Sequence, residues 1–265
     1  MRALFRLCHH LNTCGYPSAM LCDAGAPLPA WNCLPHDGPV ADSIVVYPEV
    51  VHGNPHEAQR VVRWALNVPG LLGGDPHFAD EEMVFLYDRQ KLAAVQSAVG
   101  THIGLERVLW MGLVDPAHIY PDPSVPKTLD CSFQHKGRHL AEKIPLPQGL
   151  ELQPLEDLTP DMAALGDTLR RTHTLYSYDH YSNVLREAVI CGCEVRVVDA
   201  NGAWHDPRTC GCTPNIRWDA DLLTSYANAF HSHAFVAPFI AELRRRFDVP
   251  APNPWWPPIL PCPAA

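Results

Sequence analysis

The sequence predicts an α/β fold in two halves, each of βαβ type. Short β-branched or apolar runs alternate with stretches of helical spacing, which suits parallel strands joined by right-handed crossovers. Prolines interrupt the alternation between about Asp115 and Pro126, where missing N–H groups and fixed φ exclude regular elements. At 265 residues and 47% hydrophobic, the chain can bury a core as one large domain or two small ones.

In the first half, Ala3, Leu4, Leu7, Cys8 and Leu11 recur at helical spacing until the Gly15-Tyr16-Pro17 breaker. "SAMLCD" then reads as a short buried strand, and the β-branched run "SIVVYPEV" as a central parallel strand. In "HEAQRVVRWALN", the spacing of Ala58, Val61, Val62, Ala65 and Leu66 predicts a helix that stops at "VPG". "MVFLY" follows as a strand and "QKLAAVQSAV" as a helix. Beyond the linker come "KTLDCSF" as a strand, "KGRHLAEKI" as a helix start, "GLELQPL" as a strand, "PDMAALGDTLRRT" as a helix and "HTLYSY" as a strand. Ser182 is then the expected N-cap of a helix whose buried stripe is Val184, Leu185, Ala188 and Val189. "ADLLTSYANAF" and "VAPFIAELRRRF" supply two late helices. These elements imply a first domain over 1–115, a second over 116–250 and an irregular Pro/Trp-rich tail over 251–265. A cleft is expected between the halves, where strand ends and helix starts converge.

The formal charge of -9, from 29 acidic and 20 basic residues, disfavours a general electrostatic grip on nucleic acid and favours small-molecule substrates. No apolar run approaches the roughly 18 residues of a membrane span, and the first residues lack the apolar centre of a signal peptide. The expected location is a cytoplasm, and the ten cysteines are expected to be reduced, most of them small buried hydrophobes.

The stretch "SYDHYSNVLREAVICGCEVRVVD" concentrates the chemistry. Asp179 precedes the helix, and Asn183 and Glu187 stand four apart on a face turned away from the apolar stripe. Free N–H groups at the helix start suit a phosphate, whereas a neighbouring carboxylate suits hydroxyls. A ligand carrying both phosphates and polyhydroxylated rings fits this arrangement: a nucleotide sugar.

The same pattern, an acidic residue followed eight positions later by Glu187 and then "CGC.V.VV", resembles the C-terminal signature of GT-B-fold glycosyltransferases. A second block, "VVYPEVVHGNPHEAQRVVRWALNVPGLLGGD" over residues 45 to 75, resembles one found in a bacterial glycosyltransferase group associated with surface-polysaccharide synthesis. The two blocks cover about a fifth of the chain, in the family's order. The resemblance implies two Rossmann-like domains facing a cleft, with the first domain trimmed, because the chain starts at a helix without an opening strand and glycine-rich loop. Glu194 also stands where the family carries a proline after "CGC".

The resemblance further implies transfer of a sugar from a nucleotide-sugar donor to a hydroxyl acceptor, by a signature met mostly in retaining enzymes. Glu187 would hold ribose hydroxyls, Asp179 would lie near the donor sugar, and Ser182 and Asn183 would line the same helix start. Lys136 and Arg138 would contact the diphosphate, stabilising the leaving group without a metal. No cofactor is expected beyond the donor as co-substrate, and no metal ligands are assigned. Glu49, His52 and Asn54 follow a first-half strand and are candidates for the acceptor side, with His52 or Glu49 as general base. The acceptor could be a glycan, a lipid-linked glycan, a protein or a modified DNA base. Another copy of the chain, in a homo-oligomer, could complete an acceptor site left unfinished by the trimmed domain.

Simpler readings stand beside each of these. Glu187 could be a solvated or salt-bridged helix position, Lys136 and Arg138 an exposed helix start, His52 a loop histidine, and Gly73 and Gly74 a turn. Two rival functions also remain open: a non-catalytic nucleotide- or carbohydrate-binding protein of this fold, and an interaction module stabilised by zinc on the two "CGC" pairs and His205. "HSHAF" at 231 to 235 reads as an ordinary helix surface. A dinucleotide oxidoreductase is disfavoured, because no G-x-G-x-x-G follows a strand.

Overall fold

A computed structural model describes residues 2–22, 31–213 and 216–255. The chain is mixed α/β with parallel sheets, and it divides into two compact units. The first comprises residues up to Met111 together with those from Ser232 onward, and the second runs from Gly112 to His231. The first unit is therefore discontinuous in sequence, and its boundaries differ from the expected 115/116 and 250/251 divisions.

The first unit opens on α1 (Arg2–Thr13), whose inward side carries Ala3, Phe5, Leu7 and Cys8. Two short parallel strands follow, β1 (Ala19–Met20) and β2 (Leu34–Pro35). The main sheet of this unit is parallel, in the order β3 (Ile44–Pro48), β4 (Arg60–Ala65), β5 (Met83–Leu86). The stretch expected as a helix over 56–67 is thus a central strand, and β3, expected to be central, lies at the sheet edge. The reason is two-sided burial. From Val61 to Ala65 every residue of β4 is buried, so both faces need apolar side chains and the sequence loses the alternation of a half-exposed strand.

Val45, Tyr47 and Val61 form one cluster on this sheet, while Ala65, Val84 and Leu86 pack with Val95 and Ala98 around α2 (Leu92–Gln96). Each fully enclosed aliphatic or aromatic side chain contributes about 1.5–3 kcal/mol.

The second unit is built on a five-stranded sheet. It begins with residues 112–128, which hold no helix or strand, in keeping with their prolines. Then come β6 (Leu129–Phe133), α3 (Arg138–Ala141), β7 (Gln153–Pro154), α4 (Leu155–Leu158) and α5 (Met162–Arg171). Asp161 caps α5, its side chain accepting from the Ala164 N–H at 2.8 Å. They are followed by β8 (Thr172–Ser177), α6 (Val184–Ile190), β9 (Glu194–Val198) and β10 (Trp204–His205). Across the sheet the order is β7-β6-β8-β9-β10, with only β10 antiparallel to its neighbour.

Among the described residues, three short helices remain in this unit: α7 (Pro207–Cys210), α8 (Ala220–Thr224) and α9 (Tyr226–His231). The expected single helix "ADLLTSYANAF" is broken between α8 and α9 at Ser225, whose hydroxyl bonds back to the Asp221 carbonyl.

The chain then returns to the first unit with α10 (Val236–Leu243). Phe239 meets Phe85 of β5 edge to face, with ring centroids 4.9 Å apart, and Glu242 pairs with Arg107 at 2.9 Å. Asn253 donates its N–H to the Gly15 carbonyl at 2.7 Å, and the tail beyond residue 255 lies outside the described residues. No helix among the described residues is long and apolar enough to cross a membrane.

Candidate functional site

In the second unit the chain moves from β6 to β7 on one side and then to β8 on the other. The succession therefore changes direction between β6 and β8. Ligands of open α/β sheets bind outside the carboxyl ends of strands at such a switch point. Here it is formed by the loops 134–137 after β6 and 178–183 after β8.

One carboxylate joins the two loops. Asp179 is fully buried; its Oδ1 accepts from the N–H groups of Tyr181 at 2.6 Å and Ser182 at 3.0 Å. Its Oδ2 accepts from the Ser182 hydroxyl at 2.6 Å and the Lys136 N–H at 3.2 Å, and lies 3.1 Å from His135 Nδ1. Burial alone would raise its pKa, but the hydrogen bonds from His135, Ser182, Tyr181 and Lys136 outweigh it and hold the group down at about 2. The loop after β6 is gripped from its other end by Glu156, which accepts the N–H groups of Gln134 and His135 at 2.8 and 2.9 Å. His135 has φ +26°, a strained backbone for a non-glycine residue, and its ring stacks on Phe133. Gly137 must be glycine, because a β-carbon there would overlap the Tyr178 carbonyl.

The expected residues thus divide. Asp179, Lys136 and Ser182 come together, with Lys136 exposed on the docked loop and Arg138 exposed at the start of α3. Ser182 is not the N-cap. Asn183 occupies that position without a capping side chain, and its Oδ1 instead accepts from Arg186 at 2.8 Å. The N–H groups of Tyr181 and Ser182, just before the helix, are occupied by Asp179. The buried side of α6 is Leu185, Arg186, Glu187, Ala188 and Ile190, so the helix is rotated from the expected stripe. Glu187 has no exposed surface.

The acceptor-side candidates lie in the first unit, where the loops after β3 and β4 dock. Glu49 is buried and accepts the Leu66 N–H at 2.9 Å. Gly74, at φ +74°, lies so close to the Glu49 carbonyl that a β-carbon would overlap it. His52 is exposed, and its Nδ1 lies 2.9 Å from Asp75 Oδ1. Asp75 also accepts the Gly53 N–H at 2.7 Å; that bond and the His52 contact lower its pKa. Asn54 faces its own loop, accepting from the Tyr47 hydroxyl and the Ala58 N–H. Beneath them Arg63, only 1% exposed, donates to the carbonyls of Val51 and Gly53 and pairs with Glu82.

No protein-family model, curated protein or solved structure matches this chain. The residues that sequence reasoning missed are the partners: His135 and Glu156 around Asp179, and Asp75 beside His52. Asp75 ends the quoted "LLGGD", whose glycines were the available signal for a close approach.

Among the described residues, no group of three or more His, Cys, Asp or Glu side chains is positioned to hold a metal. Cys191 and Cys193 are buried at the turn from α6 to β9, and Cys193 donates to the Leu169 carbonyl. The Cys212 N–H donates to Cys210 Sγ at 3.1 Å, and Cys212 Sγ donates to the Cys210 carbonyl at 3.6 Å. His205 lies 2.9 Å from Asp199.

Proposed function

We propose that the chain is a glycosyltransferase of GT-B-like architecture that moves a sugar from a nucleotide-sugar donor to a hydroxyl acceptor. The observation that carries this reading is the pair of exposed cations after β6, Lys136 on the loop that docks through Asp179 at the switch point of the second sheet and Arg138 at the start of α3. A diphosphate seated there gains two cations whose backbone is already ordered, and the same charges favour departure of the nucleoside diphosphate. The two sequence blocks that resemble this glycosyltransferase family support the same conclusion.

Within this reading Asp179 is a positioning residue rather than a group that touches the sugar. Its oxygens already accept from the two loops, and its work is to hold Lys136. The first unit serves the acceptor, where Asp75 orients the His52 imidazole and leaves the other ring nitrogen to receive a hydroxyl proton. Glu187 supports α6 from inside.

A panel of nucleotide sugars, scored by thermal shift and by release of free nucleotide, tests the proposal. One donor class is expected to stabilise the protein and to be turned over with an acceptor. The Lys136→Ala/Arg138→Ala variant is expected to weaken that donor at least about tenfold, the loss of two charge-assisted contacts, with its own unfolding temperature unchanged. Stabilisation by no donor overturns the proposal. Binding without any nucleotide release assigns the chain to the non-catalytic alternative.

A further inference from the structure

The N-terminal helix carries a thiol that the nucleotide-sugar reading does not use. In α1, Cys8 is 4% exposed and its sulfur accepts from Asn12 Nδ2 at 3.6 Å. The segment 31–33 lies against this helix. Asn12 Nδ2 donates to the Asn32 carbonyl at 2.7 Å, the Asn32 N–H donates to His9 Nδ1 at 2.9 Å, and Cys33 Sγ donates to the Phe5 carbonyl at 3.0 Å. These contacts seat Cys33 against the turn of α1 that carries Cys8. Cys33 is half-buried, so it has access to solvent that Cys8 lacks.

We propose that Cys33 and Cys8 form a thiol–disulfide exchange site for low-molecular-weight disulfides, with Cys33 as the attacking thiol and Cys8 as the resolving one. The surroundings match the roles. The neighbouring Cys8 thiol favours the Cys33 thiolate most; burial opposes it, while the His9 N–H and the Arg6 guanidinium assist. The neighbouring Cys33, and then burial, push the Cys8 thiol up. Arg6 lies over the Trp31 ring at 5.4 Å, and its charge also lowers His9 and His10, already lowered by burial.

The chemistry balances without a cofactor. The Cys33 thiolate attacks one sulfur of RS–SR, forming a Cys33–S–SR mixed disulfide and expelling RS⁻ with the bonding electron pair. Cys8 then gives up its proton to the first RS⁻, attacks Cys33 Sγ and expels the second RS⁻, which takes a proton from solvent in place of the one Cys33 lost. The reagent is reduced to two thiols, and the protein is oxidised by two electrons to a Cys8–Cys33 disulfide. That bond would tie α1 to the segment entering β2.

Glutathione disulfide and the full-length protein provide the test, with acid quenching, alkylation of remaining thiols and peptide mapping over all ten cysteines. The wild type is expected to show a Cys8–Cys33 disulfide and no retained glutathione. Cys8→Ser should accumulate the adduct on Cys33, and Cys33→Ser should leave Cys8 unmodified and slow total reaction at least tenfold. A stable adduct on wild-type Cys33, modification spread evenly over the cysteines, or no reaction at Cys33 overturns the proposal. Should either variant fail to fold, the wild-type peptide map decides alone.

Discussion

Asp179 reads from the sequence as a ligand-binding acid, and in the folded chain it is the most heavily hydrogen-bonded carboxylate of the switch point. Its position could be inferred from a loop that precedes a helix. Its role could not, because the donors that saturate it come partly from residues more than forty positions earlier. Replacing one oxygen with an amide turns an acceptor into a donor facing N–H and O–H groups. Asp179→Asn is therefore expected to cost about 2–4 kcal/mol, as for a buried charged acceptor whose partners lose their bonds. Urea unfolding followed by a probe in the second unit measures it. A change below about half a kcal/mol, within the range of ordinary surface substitutions, would contradict the account. His52 shows the same limit, since its orienting carboxylate, Asp75, is remote in sequence and marked only by neighbouring glycines.

At the scale of elements, strands bounded by clear turns were legible, among them β3, β5, β6 and β8. The helix α5 was legible too, with an apolar stripe to mark it. The failure at β4 has a physical cause: Val61, Val62, Trp64 and Ala65 fill both faces of a sheet, and Arg63 is inward because Glu82 and two carbonyls receive its guanidinium. An apolar run of that kind satisfies helical spacing by accident. The placement of α10 was equally hidden, since an amphipathic stripe declares a buried face without naming its partner. Phe239 is 2% exposed against Phe85. Phe239→Ala should cost about 3–5 kcal/mol. Hydrogen exchange should show the lost protection in β5 and α10, and loss confined instead to residues 112–231 would refute the assignment.

For the whole molecule, the two units are expected to respond to acid over different ranges. Burial, with Arg6 nearby, lowers His10 from 6.5 to about 3. Between those values the unfolded chain binds the extra proton, so the first unit is fully stabilised above pH 6.5 and weakens as pH falls towards 3, by about 2 kcal/mol at pH 5. Asp179, lowered from 3.8 to about 2, contributes stability above pH 3.8 that is lost as pH falls through 2. Exchange measured at pH 7 and 5 should therefore show loosening in the first unit before the second, and His10→Phe should flatten the first response. Simultaneous loosening of both units by pH 5 would count against it. The division into units was only half legible, because a linear reading can find a linker but not a chain that leaves a unit and comes back. That return also sets an order of synthesis. Every residue of the second unit leaves the ribosome before α10 does, so the second unit can close while the β5 surface that receives Phe239 is still uncovered. The nascent chain must therefore carry an exposed apolar face until α10 arrives, which makes that interval the time of greatest risk from aggregation.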